Sequence, residues 1–315
     1  MADIFTIIAP VFIIMMLGFG LGKTNLFPDG ASAVLIAFVW YVAIPALMFR
    51  ALAPKALPSA DELVFVGTYY GCLYLVYTAG MVLTRRLFGF TAAEQGIFSL
   101  TSCFVNGGFI GIPIMDGAFG PEGVRLLLVI LSFHTLTLIP VTTFIIERAK
   151  KLENEGPGLL RATFKSVRQN PILIALLFGL LWSALSLPFP NWLDKVLELP
   201  ANAAAPVGLF AAGLALSNVR IAGNLNHSML SVALKLLVLP ILVYSVAHFV
   251  LGLQPMWVGV ATLTAALPSG MVPYTIAMRY GVGARRAATA VLISTGLSVV
   301  TLSVVLLLLK SGMIL

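Results

Sequence analysis

Acidic side chains are missing from the middle of every long apolar run in this chain. All twelve Asp and Glu fall in expected loops or near the ends of those runs. That distribution excludes two membrane chemistries. Enzymes that act on diphosphates through Mg²⁺ need clustered carboxylates as ligands. Proton antiporters generally carry protons on buried carboxylates. Cysteine is almost as scarce. Cys72 and Cys103 both sit inside apolar runs, so no disulfide framework or zinc spacing can be built, and both read as small packing residues. No paired base and nucleophile stands at motif spacing, so no catalytic residue is assigned. A phosphate loop is absent too. Gly18 to Thr24 imitates one, but Leu17 occupies the place of the required first glycine. Gly18 and Gly22 instead have the spacing of a small-residue helix contact, as do Gly67/Gly71 and Gly107/Gly111.

Charge of either sign is sparse. Only 10% of the 315 residues are charged against 60% hydrophobic, and the mean hydropathy is +1.03. A soluble chain carries about 25% charged residues. The apolar runs are roughly twenty residues long, the length of a membrane helix and twice that of a barrel strand. The chain reads as an all-α polytopic membrane protein. Its net charge of +7 follows from basic residues between the runs and does not signal nucleic-acid binding. Asp3 is the only charged side chain ahead of the first run, which is expected to be a retained helix, not a signal peptide.

Ten membrane spans are expected, at 3–22, 31–52, 62–84, 94–118, 124–146, 171–188, 193–217, 228–251, 256–279 and 287–309. A polar linker, 147–170, separates a first five-helix repeat (1–146) from a second (171–315). Thirteen Lys and Arg fall on the linker side and five on the other, with Lys235 inside a span. The positive-inside rule then puts the linker in the cytoplasm and both termini outside, in a cell inner (plasma) membrane. A shift of 161 residues pairs Pro10 with Pro171, Pro45 with Pro206 and Arg125 with Arg286. Five spans per half reverse the second half in the bilayer, making an inverted repeat.

The fourth and ninth spans are interrupted at matching places. One carries Asn106-Gly107-Gly108, Gly111 and Pro113; the other carries Pro268-Ser269-Gly270 and Pro273. Glycine costs a helix about 1 kcal/mol and proline about 3. A break inside lipid must line a cavity or lie against protein, because lipid satisfies no backbone polar group. Paired breaks in the two halves are the sequence sign of a transporter's binding site. A half-helix restarting there presents free N–H groups and a positive dipole end, which suit a carboxylate.

The candidate substrate-binding residues are therefore Asn106, Gly107, Gly108, Ile112, Pro113, Pro268, Ser269, Gly270 and Tyr274, with Gly111, Pro113, Pro268 and Pro273 shaping the breaks. Asn106 can hold a carboxylate oxygen or cap the break; Ser269 has the same two roles open. Three further residues are candidates for coupling or gating. Lys235, seven residues into its span, is expected to snorkel to the cytoplasmic surface, the alternative being a counter-charge. His134 is expected to be a hydrogen-bonded structural residue, the alternative being a proton relay. Asp116 lies ten residues past Asn106, about 15 Å away along a helix, and is expected at the outer mouth.

These features resemble the auxin efflux carrier family of permeases, in particular its bacterial malonate/malate-transporter-like members. The resemblance spans the whole chain. It rests on Pro10–Gly20, Ala43-Ile44-Pro45, the break Asn106-Gly107-Gly108-Phe109-Ile110-Gly111-Ile112-Pro113, and Ala266-Leu267-Pro268-Ser269-Gly270. It implies broken crossing helices 4 and 9. It also implies a scaffold of helices 1, 2, 6 and 7, through which a homodimer can form, and a transport domain of helices 3–5 and 8–10. The implied activity is secondary transport of small organic anions by an elevator-type movement, with no cofactor or metal, and with Na⁺ or H⁺ as candidate coupling ions. A sodium-coupled bile-acid-like symporter and a passive anion channel remain the alternatives.

Overall fold

The computed structural model describes residues 2–24, 26–54, 60–151, 171–217 and 225–310. Most of the expected linker, 152–170, lies outside them. The described residues form thirteen α-helices: α1 (Ala2–Leu21), α2 (Ala31–Phe38), α3 (Ile44–Leu52), α4 (Ala60–Phe88), α5 (Ala92–Cys103), α6 (Ile112–Lys151), α7 (Pro171–Ala184), α8 (Asn191–Leu216), α9 (Leu225–Ala233), α10 (Leu239–Ser245), α11 (Pro255–Ala266), α12 (Val272–Tyr280) and α13 (Ala284–Lys310). Helix α6 continues past the expected span end at 146 into what the charge pattern marked as linker. Seven continuous helical runs are long and apolar enough to cross a membrane, and two shorter apolar helices, Ile174–Ala184 and Pro255–Ala266, accompany them.

Proline explains several local departures. Three π turns, Val39–Ala43, Gly107–Gly111 and Leu234–Val238, each end two residues before a proline: Pro45, Pro113 and Pro240. A proline ring has no N–H and crowds the carbonyl four residues back. The wider π turn gives that carbonyl room, so α2 runs on into α3, and α9 into α10, without a break. Gly120 takes φ 65°, ψ −163° within α6. That conformation is open to glycine at little cost, and the kink divides α6 into a short segment, 112–120, and a long one, 121–151.

Helix α1 lies along α8, which also carries α2 and α3, while α3 packs on α7. Helix α4 packs on α5 and α10, α5 on α6, α6 on α11, and α13 on α9, α11 and α12. The α1–α8 contact is a close backbone crossing. A Cβ on Gly18 would stand 2.2 Å from the Phe210 carbonyl oxygen, and one on Gly213 would stand 1.9 Å from that of Met15. Gly22 likewise abuts Ser217. The small-residue face read from Gly18 and Gly22 is thus a real helix contact. Gly67 and Gly71 have the same spacing but nothing within 4 Å of a built Cβ; spacing alone did not distinguish a packed face from an open one.

Two ion-pair clusters tie helices together near one end of the bundle. Arg50 on α3 donates to Asp194 and Glu198 on α8. Arg125 on α6 donates to Glu62 on α4 and to Glu122. At its counterpart in the second half, Arg286 on α13 pairs with Glu94 at the start of α5 and lies over the Phe90 ring. Glu94 also closes a capping box with Thr91, which starts α5.

Candidate functional site

Both interruptions are breaks in the helix, and they meet. Helix α5 ends at Cys103, and Phe104 turns extended (φ −75°, ψ 117°). Helix α11 ends at Ala266, and Leu267 does the same (φ −59°, ψ 147°). The two extended stretches cross as one antiparallel bridge between Val105 and Ser269. The Asn106 N–H donates to the Pro268 carbonyl at 2.8 Å, and the Gly270 N–H donates to the Phe104 carbonyl at 3.0 Å. Two segments 164 positions apart thereby satisfy each other's backbone where lipid could not. Pro273 stands second in α12 and starts that half-helix, a position where the missing N–H costs nothing, whereas Pro113 follows the π turn Gly107–Gly111 in a helix that has already restarted.

This pairing corrects the expectation that the breaks offer bare amides throughout. Besides Asn106 and Gly270, the Val105 N–H donates to His134 Nε2 at 3.1 Å and the Ser269 N–H to Ser294 Oγ at 3.2 Å. The Asn106 carbonyl accepts from Ile110 and Gly111. The N–H groups of Gly107, Gly108 and Phe109, where the chain re-enters helix, take no part in the hydrogen bonds at the crossing. The positive end of α6 is therefore concentrated on three residues.

The side chains at the crossing divide in the same way. Asn106 makes no capping bond, is 9% exposed, and is not among the residues lining the two cavities described below. Ser269 is buried, and its hydroxyl donates to the Thr101 carbonyl at 2.8 Å; it stitches the breaks together. His134 is buried between α4 and the first break. Its Nε2 accepts from Val105 and must be bare, so the ring proton sits on Nδ1 and points to Tyr70 Oη at 3.0 Å. Tyr70 passes its own proton to the Ile130 carbonyl at 2.7 Å. That chain fits a neutral imidazole serving as a structural brace, because protonating Nε2 would break the bond to Val105.

The glycines of the first break are mostly packing devices. A Cβ on Gly107 would meet Leu131 Cδ2 at 2.4 Å, and one on Gly111 would meet Leu267 Cδ1 of the other break at 2.7 Å. The first break also touches α8, where a Cβ on Gly208 would stand 2.5 Å from the Phe109 ring. Tyr274 is placed elsewhere: it packs with Ala93, Ile97, Ile146, Ala277 and Ala287, and is not among the residues lining the two cavities described next.

A cavity of about 70 Å³ lies against the first break. Gly107 and Gly108 form one wall, Trp40, Ile44 and Met48 of the α2–α3 segment another, with His134, Leu131 and Ile112 between. It is apolar apart from the backbone of the break and the imidazole. Ile112 also lines a much larger cavity of about 990 Å³. This vestibule runs between α1, α3 and α8 on one side and α6 on the other, and Pro113, Asp116, Asn202, Arg50, Arg125 and Asp194 face it. Asp116 is exposed there. The vestibule residues Arg50, Arg125 and Asn202 were not singled out from sequence as site residues; only their placement on a common cavity marks them.

Lys235 departs from expectation. It does not snorkel: it is wholly buried in the π turn before Pro240, and its ammonium donates to the Ala265 carbonyl near the end of α11. Thr101 and Ser294, which hold the second break, were also missed. Buried hydroxyls are so common in these apolar runs that no local signal separates those two from the rest.

Residues 3–306 match a family described as membrane transport protein. A Rhizobium meliloti (strain 1021) protein whose name proposes it as a malonate transporter is 28% identical, over 99% of this chain and 98% of its own length. An uncharacterized transporter of Methanothermobacter thermautotrophicus is 26% identical over 93% of this chain and 94% of its own. Auxin efflux carrier component 8 of Arabidopsis thaliana is 23% identical over 88% and 90%. With a match over nearly its whole length and two crossed helix breaks at its centre, the chain belongs to the membrane transport protein family, the auxin efflux carrier family that its motifs resemble.

Proposed function

We propose that this protein is a secondary carrier of small carboxylates, with the cargo bound at the first break and moved by an elevator-type shift. The observation that carries the proposal is the geometry of that break. The backbone amides of Gly107, Gly108 and Phe109 take no part in the hydrogen bonds at the crossing and follow the uncapped Asn106, and Gly107 and Gly108 line a small apolar cavity next to a vestibule wide enough to admit a solute. A helix start in a dry pocket binds an anion without a side-chain charge. The malonate assignment carried by the name of the Rhizobium relative agrees with that chemistry.

In this proposal ten membrane segments form two inverted five-helix repeats. Helices α1–α3, α7 and α8 are the scaffold and offer a surface for a homodimer. Helices α4–α6 and α9–α13 are the moving body. Their packing supports the division: the α1–α8 crossing through Gly18 and Gly213 is a close backbone contact that sliding would destroy, whereas at Gly208 and Gly108 the nearest groups across the break are the Phe109 and Ile44 side chains. With the linker in the cytoplasm and the chain in the inner (plasma) membrane, the vestibule opens outward.

Thermal melts of the purified protein against mono- and dicarboxylates test the proposal, because a ligand that binds only the folded state raises the midpoint. Malonate or a related short dicarboxylate should raise it, and preloaded malonate should accelerate uptake of labelled malonate in proteoliposomes. No shift with any carboxylate, or a flux that fails to saturate, would sink it.

A further inference from the structure

The cation that an anion site calls for is already built in, but away from the entrance. Arg50 and Arg125 face the vestibule, yet each is bonded to two carboxylates, and Asp116 adds a further negative charge. The vestibule has no surplus positive charge to offer. Lys235 has one. Pro240 forces the π turn Leu234–Val238, and Lys235 within it is 0% exposed. None of the ion pairs among the described residues includes it.

Its position is the telling part. Ala265 O is one of the last four carbonyls of α11, which the break leaves without helical partners. The carbonyl end of a helix carries partial negative charge and is a place for a cation. In carriers with broken helices such ends hold the coupling sodium ion. Ala265 also lies three positions before Pro268, whose carbonyl receives the Asn106 N–H. One of three ammonium N–H donors is used by Ala265.

We propose that Lys235 is a built-in counter-cation: it occupies the cation position at the carbonyl end of α11, stands in for a coupling sodium ion there, and supplies the positive potential that holds an anion at the crossing. The cargo half of this proposal rests on the carboxylate assignment above; the sodium half does not. An unpaired ammonium is costly to bury in a membrane and is kept where a function needs it.

The test uses purified full-length protein, with sodium chloride compared with choline chloride at equal ionic strength and malonate as the probe. The unaltered protein should melt at the same temperature in both salts, and its malonate affinity should agree within about twofold. Lys235→Met should weaken malonate binding about tenfold or more, and Lys235→Arg should hold it within about threefold, since a buried charge acting on an anion within a protein interior contributes at that scale. Sodium-specific stabilisation of the unaltered protein, a sodium-dependent malonate affinity, or full binding by Lys235→Met would each overturn the proposal. If Lys235→Met does not fold, Lys235→Arg decides: retained binding supports the role, and lost binding in a folded protein refutes it. If no carboxylate shifts the unaltered protein, the cargo assignment has failed and the salt comparison alone decides the sodium half.

Discussion

The two breaks cross each other but are held together differently. The first is braced by an aromatic side chain, with His134 taking the Val105 N–H and Tyr70 taking the other ring nitrogen. The second is held by hydroxyls: Ser294 takes the Ser269 N–H, and Ser269 itself bonds Thr101. The first leaves three amides and the Asn106 side chain open, while the second carries the buried ammonium of Lys235 at its carbonyl end. The first break thus leaves backbone donors open, and the second carries a buried lysine side chain.

The largest expected effect comes from removing the brace. His134→Ala leaves the Val105 N–H and Tyr70 Oη without their partner and opens a cavity in a packed core. A loss of about 3 kcal/mol is expected, read as a large fall in the melting midpoint; a fall no bigger than that of Ser294→Ala would erase the asymmetry between the breaks. Next come the arginines paired by the repeat. Arg125→Gln strands two carboxylates, one of them in a side chain only 12% exposed, and should cost about 2 kcal/mol. Arg286→Gln strands one more exposed partner and should cost about 1. Equal melting shifts would show that the ends of the bundle are balanced.

Ser294→Ala and Ser269→Ala should each cost about 1 kcal/mol, with carboxylate affinity falling less than threefold by our estimate of roughly 0.6 kcal/mol. Asn106→Ala should do the reverse. Its side chain makes no capping bond, so the melting midpoint without ligand should hardly move, while malonate-induced stabilisation should weaken about tenfold, or about 1.4 kcal/mol. The contrast between Asn106 and Ser269 is the sharpest check on which break touches cargo. A ligand response that vanishes in Ser269→Ala and survives in Asn106→Ala would reverse the assignment.

Composition and local chemistry made much of this legible. Apolar run lengths announced membrane helices, and the glycines and prolines at 107–113 and 268–273 announced the breaks, because both residue types act on their own backbone. The helix contact at Gly18 and Gly22 was legible for the same reason, yet Gly67 and Gly71 show its limit: a small residue permits close approach and does not supply the neighbour. Lys235 was misplaced because snorkelling is the default for a lysine seven residues into a span, and only the packing around the π turn closes that route. The pairing of the amides was invisible, since each donor's partner is tens to more than a hundred positions away.

What the order of residues settled unaided is everything that depends on a residue and its near neighbours: an all-helical chain for lipid, with two interruptions in matching places. The folded arrangement alone settled which polar groups remain open. An amide at Val105, Asn106, Ser269 or Gly270 is free or taken according to what another helix brings within 3 Å or so. The backbone donors at Gly107–Phe109 and the Asn106 side chain are what remain uncommitted when those long-range bonds are made.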